Sequence, residues 1–163
     1  MALRKILFLD GGEARLRRVS KPVTEYNIRL SELLDDLYET LKKADGLGLA
    51  APQVGILKRA AVVIDAETGK RYELINPVVV AADGEVAADE GCLSIPGLYE
   101  KTKRPERVKV RTNLRDGGVA EYEGAGMLAR AFCHEIDHLD GVLFIDRVKE
   151  QKMSETAKNN ARK

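Results

Sequence analysis

No apolar run in this 163-residue chain approaches the ~18–20 residues that a membrane-spanning helix needs. An excess of charge of one sign is also missing. The formal net charge is +1, so overall charge marks neither DNA nor a membrane surface as a partner. Two cysteines allow at most one disulfide, and the opening MALRKILFLDGG turns polar too soon for a signal peptide. These absences predict a cytoplasmic protein. There is no internal repeat, low-complexity block or linker, which predicts one domain over residues 1–163 with a tail from about 147. What remains is ordinary globular material: 44% hydrophobic and 33% charged residues, and enough length for a real core.

Between Glu25 and Lys43, the residues Leu30, Leu33, Leu34, Leu37, Tyr38 and Leu41 follow the i, i+3, i+4, i+7 spacing of an amphipathic helix. Asp45-Gly46 closes it. The next stretch, Gly46 to Gly55, holds too much glycine for a regular element and too many apolar residues for a solvated loop. It predicts backbone that something else approaches closely. From Arg59 to about Glu123 the pattern is β, with buried strands at 60–64 and 74–80 and a half-exposed one at 107–111. Turn signals lie at 65–69 and 115–118. Gly124 to Asp140 predicts a second helix closed by Gly141, and Arg147 to Lys163 a polar helix or frayed tail. The class expected is α+β.

The second helix contains His134-Glu135-Ile136-Asp137-His138, an H-E-x-x-H sequence. On a helix the two histidines fall about 40° apart and one turn up, so both imidazoles can reach one metal ion. Glu135 flanks that face, where a carboxylate can serve a metal-bound water without being a ligand. These are the only histidines in the chain; two placed at random would stand at i, i+4 about once in eighty times.

A catalytic site of this kind takes three protein ligands, so one more is needed. The position of a third histidine in one zinc-protease pattern holds Phe144, which excludes that class. Glu150 or Glu155 would serve a different peptidase class, but both lie in the charged tail. Cys133 points about 100° away from His134 around the helix and reads as a small buried residue. Cys92, in Glu90-Gly91-Cys92-Leu93-Ser94, follows a glycine that lets the chain turn and needs no regular element. Its thiolate is a strong ligand for a borderline-soft ion, so the third ligand expected is Cys92. Helical phase also places Met127, Arg130 and Ala131 on the side of the histidines.

Three segments stand together in order: Gly46-Leu47-Gly48-Leu49-Ala50-Ala51-Pro52-Gln53, Glu90-Gly91-Cys92-Leu93-Ser94 and His134-Glu135-Ile136-Asp137-His138. They resemble the three signature motifs of bacterial peptide deformylases, and the resemblance covers about residues 4 to 150. It implies antiparallel sheets wrapped around the metal helix. It also implies removal of the formyl group from the formyl-methionine that starts new polypeptides, with release of formate. Matched residue by residue, it implies Cys92, His134 and His138 as metal ligands and Glu135 as acid/base. Gln53 and the Leu93 N–H match the donors to the developing oxyanion, and Gly48 and Gly91 the backbone beside the bound peptide. Met127 and Ala131, with Leu47, are expected to border the pocket for the methionine side chain. One departure is Cys133, where the family most often has Gln. Fe²⁺ is the expected native ion, since relatives commonly work best with it; Zn²⁺, Ni²⁺ and Co²⁺ suit the same ligands.

Residues 147–163 carry six cationic side chains against Glu150 and Glu155, a surplus of four. For a protein acting on chains leaving the ribosome, this predicts contact with ribosomal RNA. Two rival readings stay open: another H-E-x-x-H peptidase, and a non-catalytic domain that a metal merely staples.

Overall fold

The computed structural model describes residues 2–162. The elements run α1 (Leu9–Leu16), α2 (Ile28–Ala44), β1 (Gly48–Ala50), a 3₁₀ turn (Ala51–Val54), β2 (Ala60–Ile64), β3 (Arg71–Asp83), β4 (Val86–Cys92), β5 (Ile95–Arg104), β6 (Arg107–Asn113), β7 (Val119–Ala125), α3 (Met127–Leu139) and α4 (Phe144–Ala161). Five strands form one antiparallel sheet in the order β1-β2-β3-β6-β7, and β4 and β5 pair apart from it as an antiparallel hairpin. This is the α+β arrangement the sequence predicts.

Two helices cover the five-stranded sheet, and β2 shows how. Its run Ala-Ala-Val-Val-Ile has no polar face because both faces are buried. Ala60 and Val62 belong to the cluster around Leu33, Leu34, Leu37 and Leu41 of α2, whereas Ala61 and Val63 belong to the cluster around Ala129, Phe132 and Leu139 of α3. The expected helix at 25–43 is α2, entered later than its pattern suggests. The Asn27 side chain accepts from the N–H groups of Arg29 and Leu30 and so sets the start. Asp45, left-handed at φ +55°, sets the end.

The structure moves several expected boundaries. The second helix begins at Met127 and not Gly124, because Gly124 and Ala125 pair with Val108 and Arg107 and finish β7. The glycine-rich stretch after α2 does contain regular structure: residues 48–50 gain a ladder partner in β2, which lies far enough away that local pattern misses it. Cys92, for which the sequence required no regular element, ends β4. The expected tail is helical from Phe144, and its first turns are docked; Lys163 lies outside the described residues. The short helix α1, broken at Asp10 and Gly11, has no counterpart in the sequence reading. Among the described residues no helix is long and apolar enough to cross a membrane.

Candidate metal centre

α3 presents His134 and His138 one turn apart, facing Cys92 at the end of β4. The two Nε2 atoms lie 3.2 Å apart and Cys92 Sγ lies 3.3 Å from His138 Nε2. The ligand atoms of all three residues fall within 4.8 Å of one another. The buried carboxylate of Glu90 sits 2.7 Å from His134 Nδ1. It requires the ring proton on Nδ1, which leaves the Nε2 lone pair turned toward His138 and the thiol. Electron-rich atoms this close repel one another unless something positive stands among them. Two imidazoles and a thiolate suit a borderline-soft divalent ion such as Fe²⁺, Zn²⁺, Co²⁺ or Ni²⁺.

The electrostatics separate the two rings. Burial, together with the positive charge His134 carries whenever it is protonated, holds His138 well below the ordinary imidazole range. Burial works the same way on His134, but the nearby Glu135, Cys92 and Glu90 outweigh it and raise this ring. Glu90 itself is held well below the usual carboxylate range: burial would raise it, but His134 and Arg104 prevail. Arg104 grips both Glu90 oxygens at 3.0 and 2.7 Å and reaches Asp137 at 2.7 Å. Thr102 and Arg130 also donate to Glu90.

Glu135 is buried, and its Oε1 has no hydrogen-bond partner among the described residues. Burial pushes its carboxyl up to about 7, the range a group needs to both take and return a proton near neutrality. It lies against Gly48 of β1, where a Cβ would run into the carboxylate. The Gln53 amide is fixed at both ends: its oxygen accepts from the Ala50 N–H at 2.9 Å, and its nitrogen donates to Ser94 Oγ at 3.1 Å while lying 3.7 Å from Cys92 Sγ. Gly91 packs under Tyr99, whose ring would stand 2.6 Å from any Cβ there.

A cavity of about 450 Å³ opens over this cluster. Gln53, Cys92, Leu93, His134 and Glu135 are in its wall, together with Gly48 and Gly91. Leu47, Met127 and Ala131 line it too, with Met127 exposed at the rim. Glu150 and Glu155 are exposed on α4 and outside the three-donor group, so the peptidase reading loses its third ligand. Cys133 packs among apolar residues near Phe132 and Leu139, and burial pushes its thiol up.

Sequence reasoning missed the ionic frame of Arg104, Asp137 and Thr102, and left Glu90 without a role. Glu90 stands two residues before Cys92 and Asp137 lies inside the H-E-x-x-H run, which are weak signals. Nothing in the sequence points to Arg104, because it reaches Glu90 only through the pairing of β4 with β5.

Three converging donors beside a buried carboxyl raised to about 7 suit a metal-dependent hydrolase, and known proteins narrow that class. Residues 5–154 match the polypeptide deformylase family. The chain is 53% identical over 148 residues to a peptide deformylase of Caldanaerobacter subterraneus subsp. tengcongensis, covering 91% of each. A peptide deformylase structure from Legionella pneumophila superposes with TM-score 0.84 at 38% identity, covering 99% of both chains. One from Synechococcus elongatus, solved in complex with actinonin, gives 0.82 at 41% identity over 88% of this chain and 78% of its own. The chain belongs to the polypeptide deformylase family, metal-dependent hydrolases that remove the formyl group from nascent peptides.

Proposed function

We propose that this chain hydrolyses the formyl amide at the N-terminus of formyl-methionine peptides, with Cys92, His134 and His138 holding one divalent ion. The observation that carries this reading is the convergence of those three donors beside buried Glu135, with Cys92, His134 and Glu135 in the wall of one cavity. When bound, such an ion supplies Lewis acidity and a nucleophilic oxygen at neutral pH. Glu135 takes the proton from the attacking water and later gives it to the leaving amine, which frees formate and the new N-terminus. Gln53 Nε2 and the Leu93 N–H donate to the formyl oxygen as charge grows on it; losing one such donor costs about 2.7–4 kcal/mol of barrier. Gly48 and Gly91, in the cavity wall, offer backbone beside the bound peptide. Leu47, Met127 and Ala131 take the methionine side chain, an apolar wall for an apolar group.

Formate release from a formyl-Met tripeptide tests the acid/base role. Glu135→Gln keeps the ligands, so it should retain the ion and lose turnover; wild-type turnover would remove Glu135 from the mechanism. A metal that only staples the fold predicts no turnover from the parent chain. Competition by actinonin, seen bound to the Synechococcus relative, adds a check on the cavity.

The finer assignments are Fe²⁺ as the native ion, cytoplasmic residence, one domain over the whole chain, and ribosome contact through α4. Metal analysis after purification without oxygen tests the first; finding Zn²⁺ alone would replace it. For the last, Lys149, Lys152, Lys158 and Arg162 are exposed and available to RNA. Arg147 is taken by Asp137 and Glu150, which reduces the expected surplus. Co-sedimentation with ribosomes at rising salt, with and without residues 152–163, decides that contact.

A further inference from the structure

The first turns of α4 reach the metal centre through a chain of four side chains. Arg147 donates to both oxygens of Asp137, Nε at 3.1 Å and Nη2 at 2.9 Å. Asp137 Oδ2 also accepts from Arg104 Nη1 at 2.7 Å. Arg104 holds Glu90 by two bonds, and Glu90 holds Nδ1 of His134. Glu90, Arg104 and Asp137 are 5%, 5% and 7% exposed. Charges so buried tolerate no lost partner cheaply, so each member fixes the next.

Arg147 is the outermost member. Its side chain is 40% exposed, and an ordinary ion pair at that exposure contributes little. This pair differs in being two-pronged and in having an acceptor whose side chain is only 10% exposed. Nor is Arg147 what docks α4. Phe144 and Val148 pack with Ile95, and the Phe144 ring lies 6.1 Å from that of His134. The Gln151 amide accepts from the Lys103 N–H and donates to the Lys101 carbonyl, completing the edge of β5 on either side of Thr102. With the helix already held, the Arg147 fork is left to orient Asp137.

We propose that Arg147 is a positioning residue for the metal centre, acting through Asp137, Arg104 and Glu90 to hold the His134 ring toward the ion. The inference rests on the reading of Cys92, His134 and His138 as ligands. Without Arg147, Asp137 Oδ1 loses its donor and Asp137 is held only by Arg104, so Arg104, Glu90 and the His134 ring beyond them are oriented less firmly.

The test compares three variants of the full chain by chelator competition for Co²⁺ and by the visible spectrum of the Co²⁺ form. Arg147→Met should weaken Co²⁺ binding about 3- to 10-fold, at or below the 10–100-fold range for a residue that touches a ligand directly, and should shift the spectrum. Arg147→Lys keeps the charge but not the fork and should recover part of the affinity. Arg17→Met is the control: Arg17 is similarly exposed and also bonds α4, through Asp146, but is not linked to the site. It should bind Co²⁺ like the parent. Parental affinity and spectrum in Arg147→Met would overturn this inference alone, as would an equal loss in Arg17→Met. A parent chain that takes up no ion overturns the ligand reading and this one with it.

Discussion

The Glu135 carboxylate lies where a side chain at position 48 would otherwise be: a Cβ built on Gly48 runs into Glu135 Oε2. The smallest residue in β1 thus sets the position of the Glu135 carboxylate on α3. Gly48→Ala should push the carboxylate aside while leaving Cys92, His134 and His138 untouched. A displacement of about 1 Å costs on the order of 10²-fold in rate. Formate release should fall by about that factor with metal content unchanged, and a variant with parental turnover would show that Glu135 has room to spare.

Glu90→Gln removes the charge that fixes the His134 ring and leaves Arg104 without its main partner. Metal affinity should drop about 10- to 100-fold. Chelator competition reads this directly, and undiminished affinity would mean that packing alone holds the ring.

Enlarging Ala131 should fill the cavity beside His134. Ala131→Leu is expected to raise KM for formyl-Met peptides several-fold and to change KM less for formyl-Gly peptides, because only the larger side chain needs the space. An unchanged KM would remove Ala131 from the substrate pocket.

Asn76 holds both backbone groups of Val23, accepting from its N–H at 2.8 Å and donating to its carbonyl at 2.9 Å. It does so from the left-handed region, φ +49°, at an irregularity in the β3–β6 register. Asn76→Ala gives up the hydrogen bonds to Val23, and those to Tyr26 and Asn113 as well, and places a residue poorly suited to that backbone, for a loss of about 2–4 kcal/mol. Thermal unfolding should show a clear fall in Tm, with the metal site intact below the transition.

How legible this fold was depended on the range of the forces involved. The spacing of Leu30, Leu33, Leu34, Leu37 and Leu41 makes α2 readable, because one helix face meeting one core is a local pattern. His134 and His138 are readable for the same reason. β1 is not, since three residues become a strand only when Val62 and its neighbours lie alongside. The start of α3 misleads because Gly124 is committed to Val108. Cys92 emerged by elimination, whereas Gln53, Leu93, Gly48 and Gly91 entered only through family resemblance. Arg104 and Arg147 carry no signal at all; their meaning lies in which carboxylate the folded chain sets opposite them.

The separation of Cys92 from His138 by 46 positions has a consequence for synthesis. The hairpin bearing the thiol leaves the ribosome well before the helix bearing both imidazoles, and Phe144 and Val148, which pack against that hairpin, come later still. No partial chain ending before His134 has more than one of the three donors. With the proposed ligands, the ion is acquired only after most of the sequence has emerged, and the thiol must stay reduced and unclaimed through that interval.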